Sequence, residues 1–385
     1  MTQTTSRNPQ IDLLRGIAIL LVLLLHFTLA FGLANSPLGD LLGKPWLGRI
    51  ALNGNYGVTM FFVISGYLIT ARSIDRFGQL EAIDLRAFFA FRFARILPSL
   101  VLALAIIVTL GSFGIRFFSN TDGGHTLPAS FFVLAAGSVL TFWHNVLMAQ
   151  VGWFNYAMNV YWSLSVEEVF YLAFPLACVF LRRRSLLVLL ALGLMIAGPL
   201  YRHAHADDEL YFECAYLACF DAIAMGCLVA MLVAKWQPQR YLGIALRVVG
   251  GVGLIITYLM GIHGHETLGF SAIAVCTAML LLASGQASGK GVRWLAPLRW
   301  LGHHSYELYL FHIIILAGLR NLTDRDHLSH AMRLPWLALF IALSAALAWL
   351  VARYIGDPAN HALRRRWARR GPIESVPPAQ TASQG

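Results

Sequence analysis

Apolar runs of near-membrane length recur along almost the whole chain, separated by short polar or charged stretches. A helix that crosses a bilayer needs about 20 consecutive, predominantly apolar residues. Ten segments meet that requirement or come close to it, so the pattern predicts an all-α integral membrane protein with about ten transmembrane helices. The predicted spans are 11–31, 50–71, 96–115, 160–181, 185–201, 210–234, 241–262, 267–284, 301–319 and 334–355.

A further apolar stretch, 128–148, is ambiguous, and the distribution of loop charge bears on it. Cytoplasmic loops of membrane proteins collect Lys and Arg. With ten spans and cytoplasmic N- and C-termini, most of the 29 Lys and Arg residues lie on the inner side. If 128–148 crossed fully, Arg182–Arg184 would face outward. We therefore predict that 128–159 is an outward-facing re-entrant or interfacial segment.

Composition agrees with a membrane protein. Hydrophobic residues make up 58% of the 385 positions and charged residues only 12%, which excludes an ordinary soluble domain. The net charge of +10 follows from the inward bias of Lys and Arg and predicts no nucleic-acid partner. We divide the chain into a cytoplasmic N-terminus (1–10), a transmembrane domain (11–358) and a cytoplasmic tail (359–385). The tail is basic at 364–370, where it would meet anionic membrane lipids, and is predicted to be disordered beyond Gly371.

Three ionisable residues interrupt the first span: Asp12, Arg15 and His26. Eleven helical residues make three turns plus about 20°, so Arg15 and His26 share a face and lie roughly 16 Å apart. Asp12 precedes Arg15 by about one turn and can pair with it. Because ionisable groups at membrane depth are costly, these residues are candidates for function. The alternative is a snorkelling arginine and a hydrogen-bonded histidine.

The fourth span opens on a polar stripe that follows Trp162. Ser163, Glu167 and Tyr171 recur every four residues, and Glu168 is adjacent. Two neighbouring carboxylates cannot both face lipid, so at least one is predicted to point into the bundle. The alternative is helix capping, with Ser163 or Ser165 as N-cap.

The ninth span carries Ser305, Tyr309 and His312 on one helical face. His312 reaches a depth similar to that of His26, which predicts a shared cavity. The alternative is a tyrosine–histidine network in the core. Asp221, in the sixth span, is a further acid at mid-membrane depth.

An arginine-rich inner loop is predicted between the second and third spans. A loop of this kind is either a solvated inner loop or a cradle for phosphate, because Arg binds phosphate oxygens bidentately. Its residues are Arg72, Arg76, Arg86, Arg92 and Arg95, followed by a helix turn at Pro98. In the second span, Ser65-Gly66 predicts close helix packing.

Several familiar catalytic signatures are absent from the sequence. It has no Gly-x-Ser-x-Gly elbow, no phosphate-binding P-loop and no His-Glu-x-x-His pair. The five cysteines lie in apolar segments without metal-site spacing, so no metal is predicted.

Six motifs in order make the chain resemble the acyltransferase-3 family of bacterial integral-membrane O-acyltransferases, over about residues 8–358. The first is Ile-Asp-x-Leu-Arg-Gly (11–16), with ten residues separating its arginine, Arg15, from His26. The others are Phe-Phe-Val-Ile-Ser-Gly-Tyr-Leu-Ile (61–69), Arg-Phe-Ala-Arg-Ile-Leu-Pro (92–98), Trp-Ser-Leu-Ser-Val-Glu-Glu-Val-Phe-Tyr (162–171), Asp-Ala-Ile-Ala-Met-Gly (221–226) and Ser-Tyr-Glu-Leu-Tyr-Leu-Phe-His (305–312).

The resemblance implies ten helices in the bacterial inner membrane and transfer of an acyl group, usually acetyl. The donor would be cytoplasmic acyl-CoA, by default acetyl-CoA, and the acceptor a hydroxyl of an extracytoplasmic or lipid-linked glycan. Arg15 and His26 would be the central pair. Two departures leave the substrate open: Thr59 stands where an acidic residue is frequent, and the last helix ends in Gly-Asp-Pro (356–358).

The resulting hypothesis assigns a role to each candidate. Arg72, Arg92 and Arg95 would bind the CoA phosphates, and the thioester would pass Arg15, beside Asp12. His26 would act as general base, with Glu167 orienting its imidazole. Tyr309 or His312 would stabilise the oxyanion. Ser163 and Trp162 would contact the substrate.

Two other classes of protein compete with this hypothesis. A glycan or lipid transporter would also suit a cavity lined by Arg, Glu and His. A b-type cytochrome could use His26 and His312 as haem ligands, but paired histidines about two heptads apart on one helix are missing, so no haem is predicted. The acceptor, the choice of acetyl or succinyl, direct transfer or an acyl-enzyme, and the oligomeric state stay open.

Overall fold

The computed structural model describes residues 8–124, 126–284 and 291–368, and every regular element in these ranges is helical. Ten long helices each overlap one predicted span. They are α1 (Pro9–Phe31), α2 (Asn55–Phe77), α3 (Leu85–Ser112), α4 (Trp162–Leu181), α5 (Arg184–Ala204), α6 (Tyr216–Val233), α7 (Arg240–Met260), α8 (Gly269–Ser284), α9 (Ser305–Leu322) and α10 (Arg333–Val351).

Shorter helices connect the long ones. The α-helical connectors are Pro37–Leu42, Lys44–Leu52, Phe131–Leu140, His144–Val151, Glu209–Cys214, Ala296–His303 and Asp357–Ala368. Single turns of tighter helix lie at Leu33–Asn35, Leu80–Ala82, Asn159–Tyr161 and Arg293–Leu295, and a wider π turn at Ala352–Gly356.

Eight stretches of the described chain are helical, long enough and apolar enough to cross a membrane. The other two predicted spans are α8, which has only 16 residues, and α9, whose first turns are polar. The molecule is thus a multi-helix membrane protein. The count of ten crossings and the cytoplasmic position of both termini stay predictions. The first seven residues and the tail beyond residue 368, including its predicted disorder, lie outside the described residues.

The ambiguous stretch 128–148 folds as two short helices, Phe131–Leu140 and His144–Val151. The chain bends between them at Phe142, whose φ is 65°. Helices of ten and eight residues are about 15 and 12 Å long, well short of a hydrocarbon core of about 30 Å. The segment is therefore not one straight crossing helix. That it faces outward stays a prediction.

Glycines set the close contacts that position the site. A Cβ at Gly66 would lie 2.0 Å from the Ile223 carbonyl oxygen, and one at Gly226 would lie 2.0 Å from that of Val63, so α2 and α6 touch backbone to backbone. Gly302 meets the carbonyl of Asp12 in the same way, which seats the helix before α9 against the start of α1. Small residues allow such approach between membrane helices.

The predicted arginine-rich loop over 72–95 is wrong, because most of it is helix. α2 continues to Phe77 and ends at Gly78, whose φ is 75°, and α3 begins at Leu85 after the Asp84 side chain caps its first amide groups. Pro98 lies inside α3 instead of starting it. A span predicted from hydropathy ends where charged residues begin, whereas the backbone hydrogen bonds of a helix can continue through those residues. The arginines consequently project from helix ends at fixed positions.

Candidate active site

A cavity of about 200 Å³ lies between α1, α2, α3, α4 and α9, at the end of the bundle where α2 ends and α3 begins. We call it the arginine cavity. One side of its wall is apolar, with Phe61, Phe88 and Ile96 among its residues. The charged and hydroxyl-bearing residues of its lining are Arg15, Ser65, Arg72, Ser73, Arg76, Arg92, Arg95, Ser163, Glu167, Tyr171, Ser305, Tyr306 and Tyr309.

Arg92 is the centre of an ion-pair network in this wall. Its Nη2 lies 2.8 Å from Glu168 Oε1 and 3.3 Å from Glu167 Oε1. Glu167 also accepts hydrogen bonds from Tyr171, at 2.5 Å, and from Ser65. The guanidinium lies over the Tyr171 ring. Both predicted carboxylates therefore point into the bundle and share one arginine.

The helix-capping alternative for the fourth span does not hold. α4 begins at Trp162 without a side-chain cap. The Ser163 hydroxyl instead bonds to Tyr309, and Ser165 accepts a hydrogen bond from the backbone N–H of His144. The latter contact docks the 131–151 segment onto α4.

Arg15 is buried at the cavity wall and is held by α9. Its Nε and Nη2 donate to the Ser305 hydroxyl at 3.0 and 2.8 Å. Ser305 is the first residue of α9, so the break before this helix places its hydroxyl against α1. The pairing of Asp12 with Arg15 stays a prediction.

His26 and His312 form a pair beyond the cavity, with ring centroids 5.0 Å apart. The Nδ1 of His26 lies 2.9 Å from the Val22 carbonyl oxygen, and the Nδ1 of His312 lies within 3.0 Å of two carbonyls, those of Leu308 and Tyr309. Carbonyl oxygens only accept hydrogen bonds, so each Nδ1 carries the proton. In the neutral rings both Nε2 atoms are consequently free to accept a proton.

Tyr309 lies between the cavity and the histidine pair. Its hydroxyl is 2.9 Å from the Val160 carbonyl and 2.5 Å from the Ser163 hydroxyl. Its ring contacts Phe61 on one side and His312 on the other, with centroid distances of 6.4 and 5.9 Å. One face of α9 thus supplies a partner to each of three residues on other helices. Ser305 contacts Arg15, Tyr309 contacts Ser163, and His312 contacts His26.

The structure does not bring every predicted residue to the site. Glu167 bonds within the cavity wall and not to His26. Trp162 packs on Phe62 and lines a separate, much smaller pocket. Ser65, Ser305 and Tyr306 line the cavity, although Ser65 was predicted only to allow close helix packing. Its hydroxyl bond to Glu167 depends on the pairing of α2 with α4, which no local pattern reveals.

Asp221 belongs to a second polar group, which we call the Arg202 cluster. Arg202 is fully buried and donates to Asp221 Oδ1 and Oδ2 at 3.1 and 2.6 Å, to Ser271 Oγ at 2.6 Å, and to the carbonyls of Thr267 and Ala218. The adjoining pocket measures only about 10 Å³. That volume suits at most one water molecule, so this cluster has no room for a substrate.

Metal ligation has no support in the described ranges. Among residues 8–124, 126–284 and 291–368, no group of three or more His, Cys, Asp or Glu side chains is arranged to hold a metal ion. The chemistry of the arginine cavity is that of guanidinium, carboxylate, hydroxyl and, beyond Tyr309, imidazole groups.

Comparison with known proteins identifies the family. Residues 8–353 match the acyltransferase-3 family model, described as an acyltransferase domain. The chain belongs to this family. It is 25% identical to the O-acetyltransferase OatA of Staphylococcus aureus strain NCTC 8325 / PS 47, over 91% of this chain and 57% of that protein. It is 24% identical to the peptidoglycan O-acetyltransferase OatA of Listeria monocytogenes, over 80% of this chain and 49% of that protein.

The chain spans about half the length of the curated relatives it matches. No solved structure matches it. The order of motifs and the extent of the match confirm the family resemblance drawn from the sequence.

Proposed function

We propose that this protein is a membrane O-acyltransferase, by preference an O-acetyltransferase, that moves an acyl group from cytoplasmic acyl-CoA to a hydroxyl of an extracytoplasmic or lipid-linked glycan. The observation that carries the proposal is one cationic cavity that ends close to two imidazoles with unprotonated Nε2 atoms. The names of the relatives, which are O-acetyltransferases and in one case a peptidoglycan O-acetyltransferase, support a glycan acceptor. The bacterial inner membrane is the proposed location.

The arginine cavity suits the donor. Arg72 and Arg76 are exposed at its mouth, and Arg95 is partly buried in its wall. Guanidinium groups bind phosphate oxygens with two parallel hydrogen bonds, so this end would hold the CoA phosphates. Arg92 already meets two carboxylates and mainly holds the wall together. The apolar side of the cavity accommodates the pantetheine arm, which directs the thioester toward Arg15 and Tyr309.

His26 is the proposed general base. The acceptor hydroxyl gives its proton to His26 Nε2 while its oxygen attacks the thioester carbonyl. The carbon–sulfur bond breaks, an ester forms, and the CoA thiolate takes a proton from the imidazolium. The Val22 carbonyl fixes the required tautomer, the role that the sequence had assigned to Glu167.

His312 and Tyr309 differ in what they offer the reaction. Since neutral His312 has no proton on Nε2, it can pass on a proton from His26 but cannot donate to an oxyanion. Arg15 carries donor groups and is the proposed stabiliser of the developing negative charge, because the hydroxyl hydrogen of Tyr309 is already donated to the Val160 carbonyl. Asp12 and Trp162 are then proposed supports, Asp12 at the start of α1 and Trp162 beneath Phe62.

The test is the ester-linked acyl content of cell-surface glycans, measured by NMR with and without mild alkali. His26→Ala should lower acylation by about 10²- to 10⁴-fold, the range for a lost general base. His205→Ala is the matched control, because His205 Nδ1 also bonds to the carbonyl four residues earlier but His205 is not among the residues that line the cavity. Wild-type acylation in membrane-inserted His26→Ala protein would contradict the mechanism.

A deletion strain separates the proposal from transport. Loss of an alkali-labile acetyl or succinyl signal from otherwise normal surface glycans supports acyl transfer and identifies the group. Glycans that stay acylated but fail to reach the surface would favour a transporter.

A further inference from the structure

The arginine cavity and the histidine pair are separate spaces. Among the described residues that line the cavity, Tyr309 and Leu310 are present and neither His26 nor His312 is. His312 is completely buried, and its Nε2 has no hydrogen-bond partner in the described part of the chain. His26 is partly exposed. A thioester bound in the cavity would therefore not touch its base.

Tyr309 is the side chain that closes this boundary. Its hydroxyl is held by Val160, in the helical turn Asn159–Tyr161, and by Ser163 of α4. Its ring meets Phe61 of α2 at the cavity side. One residue of α9 consequently ties three elements together at the point where the donor space ends.

The two hydrogen bonds use the donor hydrogen of the tyrosine hydroxyl and one of its acceptor sites. The Val160 carbonyl only accepts, so a hydroxyl must donate to it, and at 2.9 Å Tyr309 is well placed to do so. The Ser163 hydroxyl, 2.5 Å away, can then donate to Tyr309. A tyrosine held in this way keeps one position in the absence of a competing group.

An acyl-CoA enzyme that acts on a hydroxyl has to discriminate against water. Water attacks the same carbonyl carbon, breaks the same carbon–sulfur bond, and releases the free acid and the CoA thiol. Closed sites prevent this side reaction by excluding water from the reactive bond. A barrier between thioester and base would serve that purpose.

We propose that Tyr309 is the specificity-determining residue that selects the acceptor hydroxyl over water. Held by Val160 and Ser163, it separates the thioester from His26 and His312, and it moves aside when transfer occurs. The inference rests on the proposed acyltransferase function and adds to it a residue that limits hydrolysis of the acyl-CoA thioester by water.

The first experiment measures thiol release from acetyl-CoA by the purified full-length protein in lipid nanodiscs without acceptor. Tyr309→Phe keeps the ring but removes both hydrogen bonds, so acceptor-independent hydrolysis should rise about tenfold. Adding His26→Ala to Tyr309→Phe should abolish the rise, because water then lacks its base. Ser163→Ala should raise hydrolysis by a smaller factor.

Tyr258→Phe is the matched control. Tyr258 lies on α7, is not part of the cavity lining and donates its hydroxyl hydrogen to the Ile50 carbonyl at 2.7 Å, so the variant removes the same kind of hydrogen bond away from the cavity. Hydrolysis in this variant should stay within about twofold of wild type. Unchanged hydrolysis in Tyr309→Phe, or a parallel loss of hydrolysis and transfer, would overturn the proposal.

A second experiment is independent of activity. In a chain with its five cysteines replaced by alanine, Ser65→Cys places one thiol in the cavity wall. A charged, membrane-impermeant thiol reagent should label it from the arginine side only. With Tyr309→Ala added, labelling should occur from both sides of the membrane.

The results distinguish failure of the proposed acyltransferase function from failure of the Tyr309 barrier. If wild-type protein neither hydrolyses acetyl-CoA nor acylates glycans, the proposed function fails, while one-sided labelling still supports the barrier. Labelling of Ser65→Cys from both sides in the chain that keeps Tyr309 would refute the barrier, whatever the activity.

Discussion

The arginine cavity and the Arg202 cluster contain the same chemical groups but differ in burial and in the volume of the space beside them. Each combines a guanidinium with at least one carboxylate and a serine hydroxyl inside a helical bundle. Arg202 is completely buried, bonded on all sides and next to a pocket of about 10 Å³. Arg92 is about one-fifth exposed and faces a cavity of about 200 Å³ with further arginines around it.

The difference teaches that charge inside a membrane bundle marks function only where space accompanies it. In the Arg202 cluster the two oxygens of Asp221, the hydroxyl of Ser271 and two carbonyls satisfy the guanidinium. Nothing is left for a ligand, so the cluster holds α5, α6 and α8 together. In the cavity, several arginine side chains line an open space of about 200 Å³.

The largest expected effect is on stability. Arg202→Ala leaves Asp221 buried without its partner, and breaking a buried ion pair costs about 3–5 kcal/mol. The midpoint temperature of thermal unfolding of the purified protein and the yield of the protein in membranes should both fall sharply. The double variant Arg202→Met with Asp221→Leu should recover most of the loss, because apolar side chains of similar volume need no partner. An Arg202→Ala protein as stable as wild type would contradict the structural role.

The next effect is on donor binding. Arg92→Gln leaves the charges of Glu167 and Glu168 uncompensated beside an anionic donor, so repulsion should raise the KM for acetyl-CoA about tenfold. Stability should fall less than in Arg202→Ala, since the side chains of Arg92 and Glu167 are both partly exposed to the cavity. Thiol-release kinetics and thermal unfolding measure the two quantities. A large loss of stability without a change in KM would show that Arg92 has the same purely structural role as Arg202.

The smallest expected effect is a decrease in the KM for acetyl-CoA, opposite in sign to the effect of Arg92→Gln. Glu167→Gln keeps an acceptor for Ser65 and Tyr171 but removes a negative charge from the cavity wall. The KM for acetyl-CoA should fall about two- to fivefold, and the free energy of unfolding should change by about 1 kcal/mol or less. Titration of both variants with acetyl-CoA checks the sign. A rise in KM would show that Glu167 contacts the donor in another way.

Much of this arrangement was predictable along single helices. The face that carries Ser305, Tyr309 and His312 follows from helical periodicity, and so does the shared face of Arg15 and His26. The structure confirms that the first set meets other candidates and adds which ones: Arg15, Ser163 and His26. The family also followed from sequence, because ordered motifs are a property of the chain itself.

The errors arose where a prediction needed the end of a helix or a partner on another one. The segment 72–95 was predicted as a loop because its arginines lower the hydropathy, yet a helix that lines a polar cavity tolerates them. Glu167 was predicted to orient the imidazole of His26. Its contacts with Ser65 and Arg92 depend on how α2, α3 and α4 meet.

The sequence by itself determined that this chain is a bundle of apolar helices, which polar residues lie within them and which face of its helix each occupies. These are local properties, since hydropathy and the 3.6-residue period act over a few turns. Only the tertiary structure decided that Arg92 lies beside a cavity of about 200 Å³, that Arg202 adjoins a pocket of only about 10 Å³, and that Tyr309 lies between the cavity and the histidine pair. A cavity is the gap that remains after distant helices have packed, so its position depends on glycines and side-chain volumes far apart in the chain.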